Sequence, residues 1–384
     1  MYDIDHITDR RGTYAEKWDI KDGELPMWVA DMDIETAPCV RAAIERRASH
    51  GIYGYTYVPD EWYDAYIGWW KERHGLIFGR EHMIYSSGVV AVLSSVVRKL
   101  TSPGEKVLLL TPCYNIFYNS IVNNGRFVQE CELVYSGGEY SIDFDTLEMC
   151  MSDPQTSMMF LCNPQNPTGN IWDRDTLARI GRMAYDHGVI VVSDEAHCDL
   201  TAPGKEYVPF ASVDDTNRSI GITCLSAGKT FNIAGLQTAA VVVYDDVLRH
   251  RVWRGLNTDE CGEPNAFAVD AVIAAFTEGG GWLDALREHI HCNRQRAEGY
   301  ISREIPRAHA VRSDATYLLW TDLRYSGLSE PAADIRQKTG LFLSEGRIYG
   351  KGGEGFVRMN LACPSAYLED GLERLKKWDR SLTV

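Results

Sequence analysis

Short apolar runs alternate with amphipathic stretches between residues 83 and 245, and this alternation constrains the fold most strongly. Four apolar runs end in, or are followed by, polar or proline residues, at residues 107–110, 158–161, 189–192 and 239–243. Runs of this length are typical of strands that helices cover on both faces. Between them, residues 174–187 carry apolar side chains at helical spacing. The pattern predicts an α/β fold with a mainly parallel central sheet flanked by helices.

Polar side chains follow the apolar runs of this region. Asn163 and Asn166 come after the second run, and Asp194 comes after the third. Ligands of such sheets bind at the carboxyl ends of the strands. We therefore expect a binding site that includes these three residues.

The last hundred residues have a different pattern. A long helix is expected at residues 282–305, short strands near 317–320 and 356–360, and a closing helix near 366–378. These elements predict a smaller α+β domain. The expected division is an N-terminal segment (1–45) that packs on the small domain or on a dimer partner, a large domain (46–281) and a small domain (282–384).

Composition excludes several classes of function. The net charge of -15 opposes binding to nucleic-acid backbones and to anionic membrane surfaces. No apolar run approaches membrane-spanning length, and residues 1–19 lack the apolar core of a signal peptide. The ten cysteines are scattered without a Cys-x-x-Cys pair, which opposes a zinc or redox site and is typical of reduced thiols. We expect a cytoplasmic protein.

Lys229, in a segment that contains Ser226 and Gly228, is the candidate for a covalent bond to pyridoxal phosphate. Chemistry with this cofactor needs such a lysine, a carboxylate at the pyridine nitrogen, a donor to the ring hydroxyl, a stacking aromatic ring and an anion site for the phosphate. The flanking Gly228 and Ser226 leave room for a cofactor. The alternative interpretation of Lys229 is a solvated side chain, the usual state of lysine.

Asp194 and Asn166 are the candidates for the carboxylate and for the donor to the ring hydroxyl. Asp194 follows an apolar strand, so its carboxylate should be partly desolvated and should need a cation. The alternative is the N-cap of a helix, a position that favours aspartate. Asn166 lies between Pro164 and Pro167 in a stiff turn, and its alternative is ordinary turn chemistry.

An aromatic ring and an anion site are also available in the sequence. Tyr114, at another strand end, could stack on the pyridine ring, or it could be a core tyrosine. Gly88 precedes a helical run that starts with Val89 and Val90, and amides at a helix start form a phosphate site or an ordinary cap. His197 could hold the Asp194 carboxylate, lie beside the cofactor ring or be purely structural.

Arg358 lies among apolar residues on an expected strand, where a guanidinium requires an anionic partner. It could clamp the α-carboxylate of an amino acid, or it could form an internal salt bridge.

Two other motifs are not expected to carry a function. The glycine-rich residues 350–355 precede a strand instead of a helix, so the dinucleotide context fails. His289, His291 and Cys292 do not share a helix face, so a metal site is not expected.

With these residues in place, the chain resembles the class I/II aminotransferase superfamily of pyridoxal phosphate enzymes, which have fold type I. Within it the chain is most similar to the cystathionine β-lyase branch of cysteine–sulfur lyases, which includes cystalysin-like enzymes. The resemblance covers nearly the whole chain. It is carried by residues 28–33, 53–56, 193–200, 229–236 and 358–364 and by the Asn-Pro-x-Asn-Pro-x-Gly motif at 163–169.

The resemblance assigns roles to the candidate residues. It implies that Lys229, Asp194 and Tyr114 are catalytic, and that Asn166 and Arg358 bind the substrate. The residues implied to hold the cofactor are Gly88, Val89, Val90, Tyr114, Asn166, Asp194, His197, Ser226 and Lys229. It further implies a homodimer in which Tyr55 reaches the phosphate and substrate of the neighbouring subunit.

Two positions depart from the family pattern. Gly228 stands where most relatives have a serine that contacts phosphate, and Ser226 is expected to compensate. Gln237 stands where many aminotransferases have an arginine that binds phosphate, and its neutral side chain favours the lyase branch.

The resemblance implies a carbon–sulfur β-lyase that cleaves cystathionine, cysteine or a related S-conjugate to pyruvate, ammonia and a thiol. One alternative is an aminotransferase that uses an amino acid donor and a keto acid, because that reaction employs the same residues. Another is a protein that binds the cofactor without turnover.

Overall fold

The computed structural model describes residues 2–382. Residue 1 of the expected N-terminal segment and residues 383 and 384 of the expected small domain lie outside the described residues.

The strands and helices of residues 2–382 follow the expected alternation closely. The strands are β1 (Leu25–Pro26), β2 (Met83–Ser86), β3 (Lys106–Thr111), β4 (Phe127–Glu132), β5 (Val134–Ser136), β6 (Glu139–Ser141), β7 (Thr156–Cys162), β8 (Ile190–Asp194), β9 (Gly221–Leu225), β10 (Ala239–Val242), β11 (His309–Ala310), β12 (Leu318–Asp322), β13 (Leu341–Phe342), β14 (Ser344–Glu345) and β15 (Phe356–Asn360). The α-helices are α1 (Pro38–His50), α2 (Asp60–His74), α3 (Val89–Leu100), α4 (Ile116–Val122), α5 (Phe144–Ser152), α6 (Arg174–Asp186), α7 (Asp215–Ile220), α8 (Ala227–Thr230), α9 (Asp246–Thr258), α10 (Ala268–Glu278), α11 (Gly280–Glu304), α12 (Pro331–Thr339) and α13 (Ser365–Ser381). Short 3-10 helices occur at Glu16–Trp18, Arg80–His82, Phe210–Ser212, Ala234–Leu236, Arg324–Ser326 and Gly346–Tyr349.

A seven-stranded sheet forms the centre of the large lobe. Its order is β2-β10-β9-β8-β7-β3-β4. β10 runs antiparallel to β2 and β9, and the other neighbouring strands are parallel. The predicted α/β class with a mainly parallel sheet is confirmed. The direction of β10 was not predictable from its composition, because a strand that is buried on both faces is apolar in either direction.

Helices cover both faces of this sheet. On one face, α3 and α9 pack Val92, Val96 and Val252 against Phe160 of β7. The core of the opposite face is a second cluster, in which the α6 residues Leu177 and Ile180 join Met159 and Leu161 of β7. The parallel strands of this buried sheet therefore end at the same edge.

A four-stranded antiparallel sheet, β11-β12-β15-β14, forms the small lobe. Its core joins side chains from α11, α12 and α13. The expected helices at 282–305 and 366–378 are present as α11 and α13, and the expected strand at 356–360 is β15.

Residues 28–32, here called the strap, connect the N-terminal segment to both lobes. β1 precedes the strap and pairs in parallel with β13 of the small lobe. Each of the five strap carbonyls accepts a hydrogen bond from a side chain elsewhere in the sequence. The donors are Arg358 and Ser344 for Trp28, Asn360 for Val29, Lys229 and Tyr317 for Ala30, Asn360 and Lys17 for Asp31, and Asn232 and Arg10 for Met32.

None of the helices in residues 2–382 is both long and apolar enough to cross a membrane.

Candidate active site

The carboxyl ends of the parallel strands open into a cavity of about 390 Å³. Register brings Cys162 at the end of β7 beside Asp194 at the end of β8, and Asp194 beside Cys224 of β9. All the candidate residues except Asn163, Arg358 and Tyr55 line this cavity; the Asn163 side chain instead donates to the Val208 carbonyl at 2.9 Å. The lining residues are Ala30, Ser87, Gly88, Val89, Val90, Ala91, Tyr114, Cys162, Asn166, Asp194, Ala196, His197, Ser226, Gly228, Lys229, Ala234, Gln237 and Thr238.

Lys229 lies on the short helix α8, directly after β9. Its Nζ donates a hydrogen bond of 2.6 Å to the Ala30 carbonyl of the strap. Burial, reinforced by the nearby Arg358 guanidinium, lowers the pKa of Lys229 to about 8, against the opposing effects of Asp31 and Asp194. A lysine in this environment has a minor but substantial fraction of neutral amine near physiological pH, unlike the solvated lysine of the alternative interpretation.

Asp194 ends β8, and the residues that follow it form turns. The alternative of a helix N-cap is therefore wrong for this residue. One carboxylate oxygen accepts the Ala196 amide at 3.1 Å, and no cationic side chain in residues 2–382 forms an ion pair with it. Burial raises the pKa of Asp194 to about 6, while the Ala196 amide and Lys229 act in the opposite direction. The carboxylate is thus available to a cation inside the cavity.

Arg358 on β15 reaches the edge of the cavity through Asn166. Its Nη1 donates to the Asn166 Oδ1 at 3.0 Å, and its Nη2 donates to the Trp28 carbonyl at 2.8 Å. Its buried Nε has no hydrogen-bond partner, and within the described part of the chain no carboxylate pairs with the guanidinium. The alternative of an internal salt bridge is therefore wrong, and a buried guanidinium is left for an external anion.

Gly88, Val89 and Val90 begin α3 at the other end of the cavity. The first amides of a helix have no acceptor within the helix, and the helix dipole favours an anion there. Gly88 has a φ of +153°, which L side chains rarely adopt. These three residues form a suitable anion site.

Ser226 does not have the geometry expected of a replacement for the missing serine at position 228. Its hydroxyl donates to the Thr238 carbonyl at 3.1 Å and accepts the Gly228 amide at 3.0 Å. The hydroxyl proton is thus already used within the chain. In this structure Ser226 caps α8, although it also lines the cavity.

Tyr114 and His197 both face the cavity. Burial, with Asp194 nearby, raises the pKa of Tyr114 to about 12. Burial, together with the charges of Lys229 and Arg358, lowers the pKa of His197 to about 3, so its imidazole is neutral near physiological pH. The His197 Nδ1 is buried without a hydrogen-bond partner, and among residues 2–382 no hydrogen bond joins the imidazole to Asp194.

Tyr55 is the one candidate that the chain itself does not bring near the cavity. It lies in an irregular stretch after α1, and its side chain is fully exposed. The sequence prediction placed it in the site of a neighbouring subunit, so its role stays a prediction.

Comparison with known proteins places this geometry in a family. The model of the family described as "Aminotransferase class I and II" matches residues 27–375. The chain is 42% identical to "Cystathionine beta-lyase PatB" of Bacillus subtilis, over 97% of this chain and 98% of that protein. The chain belongs to the class I and II aminotransferase family.

Solved structures of this family have the same fold. Cystalysin from Treponema denticola, which contains pyridoxal 5'-phosphate, aligns with a TM-score of 0.95 at 31% identity over 100% of both chains. The pyridoxal phosphate-bound C-S lyase from Staphylococcus hominis aligns with a TM-score of 0.93 at 32% identity over 98% of both chains. The resemblance to the aminotransferase superfamily and to its carbon–sulfur lyase branch is confirmed.

Several residues in or behind the cavity were not predicted from the sequence. Four whose side chains or carbonyls bear on the site are Ala30, Cys162, Glu195 and Tyr317. Three gave no signal, since a small residue, a cysteine and a tyrosine in apolar stretches resemble core residues. Glu195, directly after Asp194, was visible as a charge in a buried segment.

Glu195 is a buried carboxyl group behind the cavity wall. It accepts from the Ser193 hydroxyl at 2.8 Å and the Phe210 amide at 2.9 Å, and the Tyr207 hydroxyl also bonds to it. Burial raises the pKa of Glu195 from 4.5 to about 8. Between these pH values the folded state holds a proton that the unfolded state has released. The stability that this proton provides is therefore complete below pH 4.5 and is lost as the pH rises through about 8.

The substitution Glu195→Gln should remove this pH dependence. We expect the unfolding temperature of E195Q minus that of the original protein to be larger at about pH 8 than at about pH 5. The reason is that Glu195 must give up a proton over this range, whereas glutamine has none to lose. Thermal denaturation at both pH values measures this difference. Glu263→Gln, at an exposed position, is the control. An E195Q difference that is the same at both pH values would contradict the prediction.

Proposed function

We propose that this chain is a pyridoxal phosphate-dependent carbon–sulfur β-lyase that acts on L-cystathionine, L-cysteine or a related S-conjugate. The observation that carries the proposal is the arrangement of three charged groups, with Lys229 and Asp194 lining the cavity and Arg358 buried at its edge. Lys229, Asp194 and Arg358 each lack an ion-pair partner within residues 2–382. The similarity to a cystathionine β-lyase over nearly the whole chain supports the same reaction.

The residues around the cavity fit pyridoxal phosphate. Lys229 would form the covalent bond, and Asp194 would face the pyridine nitrogen as its carboxylate partner. The amides of Gly88, Val89 and Val90 would hold the phosphate. Because the Asn166 Oδ1 already accepts from Arg358, its amide Nδ2 is the group left to donate to the ring hydroxyl. The cofactor, when bound, supplies an electron sink for the α-carbon of the substrate.

The residues of the chain perform the remaining steps. The Arg358 guanidinium binds the substrate α-carboxylate. Its hydrogen bond to Asn166 holds one side of the guanidinium in position. The amine of Lys229, neutral above about pH 8, removes the α-proton. The charge of Asp194 would keep the pyridine nitrogen of a bound cofactor protonated, which maintains its capacity as an electron sink. The overall reaction consumes water and releases a thiol, pyruvate and ammonia.

The assembly and location of the protein are part of the same proposal. We infer a homodimer in which the exposed Tyr55 enters the neighbouring subunit's site. All ten cysteines are free, seven of them buried, which supports a cytoplasmic location.

The deciding experiment supplies purified protein with pyridoxal phosphate and L-cystathionine and omits any keto acid. Pyruvate and free thiol should accumulate together, in equal amounts and through many turnovers. The same protein without cystathionine, and cystathionine with cofactor alone, are the controls.

The alternatives give different results in this assay. An aminotransferase would release little pyruvate until a keto acid is added, after which it would turn over with an amino acid donor. A protein that only binds the cofactor would show its absorbance without turnover on any amino acid of a panel. Either result would overturn the proposed reaction.

A further inference from the structure

The Ala30 carbonyl is shared by two donors. It accepts the Lys229 Nζ at 2.6 Å and the Tyr317 hydroxyl at 2.8 Å. A carbonyl oxygen has two lone pairs, so these two bonds use its full capacity. Tyr317 therefore contacts the same atom that holds the candidate catalytic amine.

Tyr317 is a fully buried tyrosine placed directly before β12. Its ring meets the imidazole of His197 edge-on, with 5.8 Å between the ring centroids. A ring that only filled the core would need no hydroxyl, yet this hydroxyl bonds to the strap. Burial raises the pKa of Tyr317 well above its ordinary value of 10. The phenol thus keeps its proton and acts as a donor, not as a base.

Asn360 holds the strap on both sides of Ala30. Its Nδ2 donates to the Val29 carbonyl at 2.7 Å and also to the Asp31 carbonyl. The strap backbone therefore stays anchored if the Tyr317 hydroxyl alone is removed. The specific contribution of Tyr317 is then to the direction and strength of the bond between Ala30 and Lys229.

We propose that Tyr317 is a positioning residue that fixes the Ala30 carbonyl as the acceptor for the amine of Lys229 whenever that amine is not bonded to the cofactor. This inference rests on the proposed function, in which Lys229 is released during each turnover. Held in this way, the amine stays at a defined place on the strap, which also contacts Arg358.

The hydroxyl also affects the charge of the amine. The charged or titratable groups that face Lys229 are Asp31 on the strap, Asp194 after β8, His197 in the following turn, Arg358 on β15 and Tyr317. The hydroxyl hydrogen of Tyr317 points its positive end toward the oxygen that binds the ammonium, and it competes for that oxygen. Its removal therefore favours the ammonium form and raises the pKa of Lys229.

The test compares Tyr317→Phe with Tyr325→Phe. Tyr325 donates to Asp379 at 2.6 Å in the small lobe and is the matched control for loss of a phenol hydroxyl. In the full chain freed of cofactor, the rate of Lys229 acetylation is followed by mass spectrometry across pH. In the loaded enzyme, kcat and KM for L-cystathionine are measured across the same range.

For Tyr317→Phe we expect the Lys229 acetylation profile and the rising limb of kcat to move together to higher pH. At about pH 7 kcat should fall about 10-fold, the effect of one hydrogen bond near a charge, while KM stays within about twofold. Tyr325→Phe should leave both profiles in place.

Two outcomes overturn the inference. One is an acetylation profile of Tyr317→Phe that superposes on that of the original protein. The other is a loss of kcat that follows a loss of thermal stability without any change in pH dependence, which is the result of a structural role. The acetylation measurement needs no elimination activity, so it tests Tyr317 even if the assay with L-cystathionine overturns the proposed lyase reaction.

Discussion

Replacing Lys229 by alanine should abolish turnover and the visible absorbance of the bound cofactor together. In the proposed reaction the substitution removes both the covalent attachment and the base, and general-base catalysis alone contributes about 10²–10⁴-fold. We therefore expect kcat to fall by at least about 10³-fold. The measurements are an absorbance spectrum of the purified protein with pyridoxal phosphate and the pyruvate assay.

The control for this prediction is Lys205→Ala. Lys205 is an exposed lysine that pairs with Asp314 at 3.0 Å, outside the cavity. Its loss should leave both the spectrum and kcat unchanged. Steady pyruvate release by Lys229→Ala would contradict the assignment of Lys229, whatever the spectrum showed.

Replacing Asp194 by asparagine should have the second largest effect. The side chain keeps its size and an oxygen for the Ala196 amide, but it loses the charge that faces the cavity. Loss of one preorganised electrostatic partner of a reacting group costs about 10²–10³-fold in kcat. We expect a loss of this size, together with weaker binding of the cofactor, because no side chain of residues 2–382 forms an ion pair with the carboxylate.

Asp322→Asn is the matched control for Asp194→Asn. Asp322 is also buried, but it pairs with Arg324 at 2.7 Å in the small lobe. Its replacement should lower stability without changing kcat in the folded protein. Absorbance titration with pyridoxal phosphate and the pyruvate assay measure both effects. A kcat for Asp194→Asn within about tenfold of the original would remove Asp194 from its proposed role.

The interaction between Arg358 and Asn166 shows how much of the site could be predicted from the sequence. Both residues were predictable as candidates, because each polar side chain lies beside an apolar strand or in a stiff turn. Their direct bond at 3.0 Å was not predictable, since 192 residues separate them. The absence of an ion-pair partner for Arg358 among residues 2–382 was equally unpredictable from the sequence, because it depends on all the side chains that surround Arg358 in space.

Ser226 illustrates a different limit. The sequence placed a serine near the missing phosphate contact, and the structure does place it at the cavity. Its hydroxyl nevertheless donates to Thr238, which comes twelve residues later on the chain. The direction of a hydroxyl proton depends on the nearest acceptor in space, and sequence spacing does not contain that information.

By itself, the sequence determined the α/β class, the strand ends that bear polar residues and the chemical types needed around a pyridoxal phosphate. These properties are local, because burial pattern and turn chemistry act over a few neighbouring residues. Only the tertiary structure decided that the strap reaches Lys229 through Ala30, 199 residues away, and that Tyr317 shares that carbonyl. Such contacts form where two lobes and a connecting segment meet, and each depends on the packing of all three.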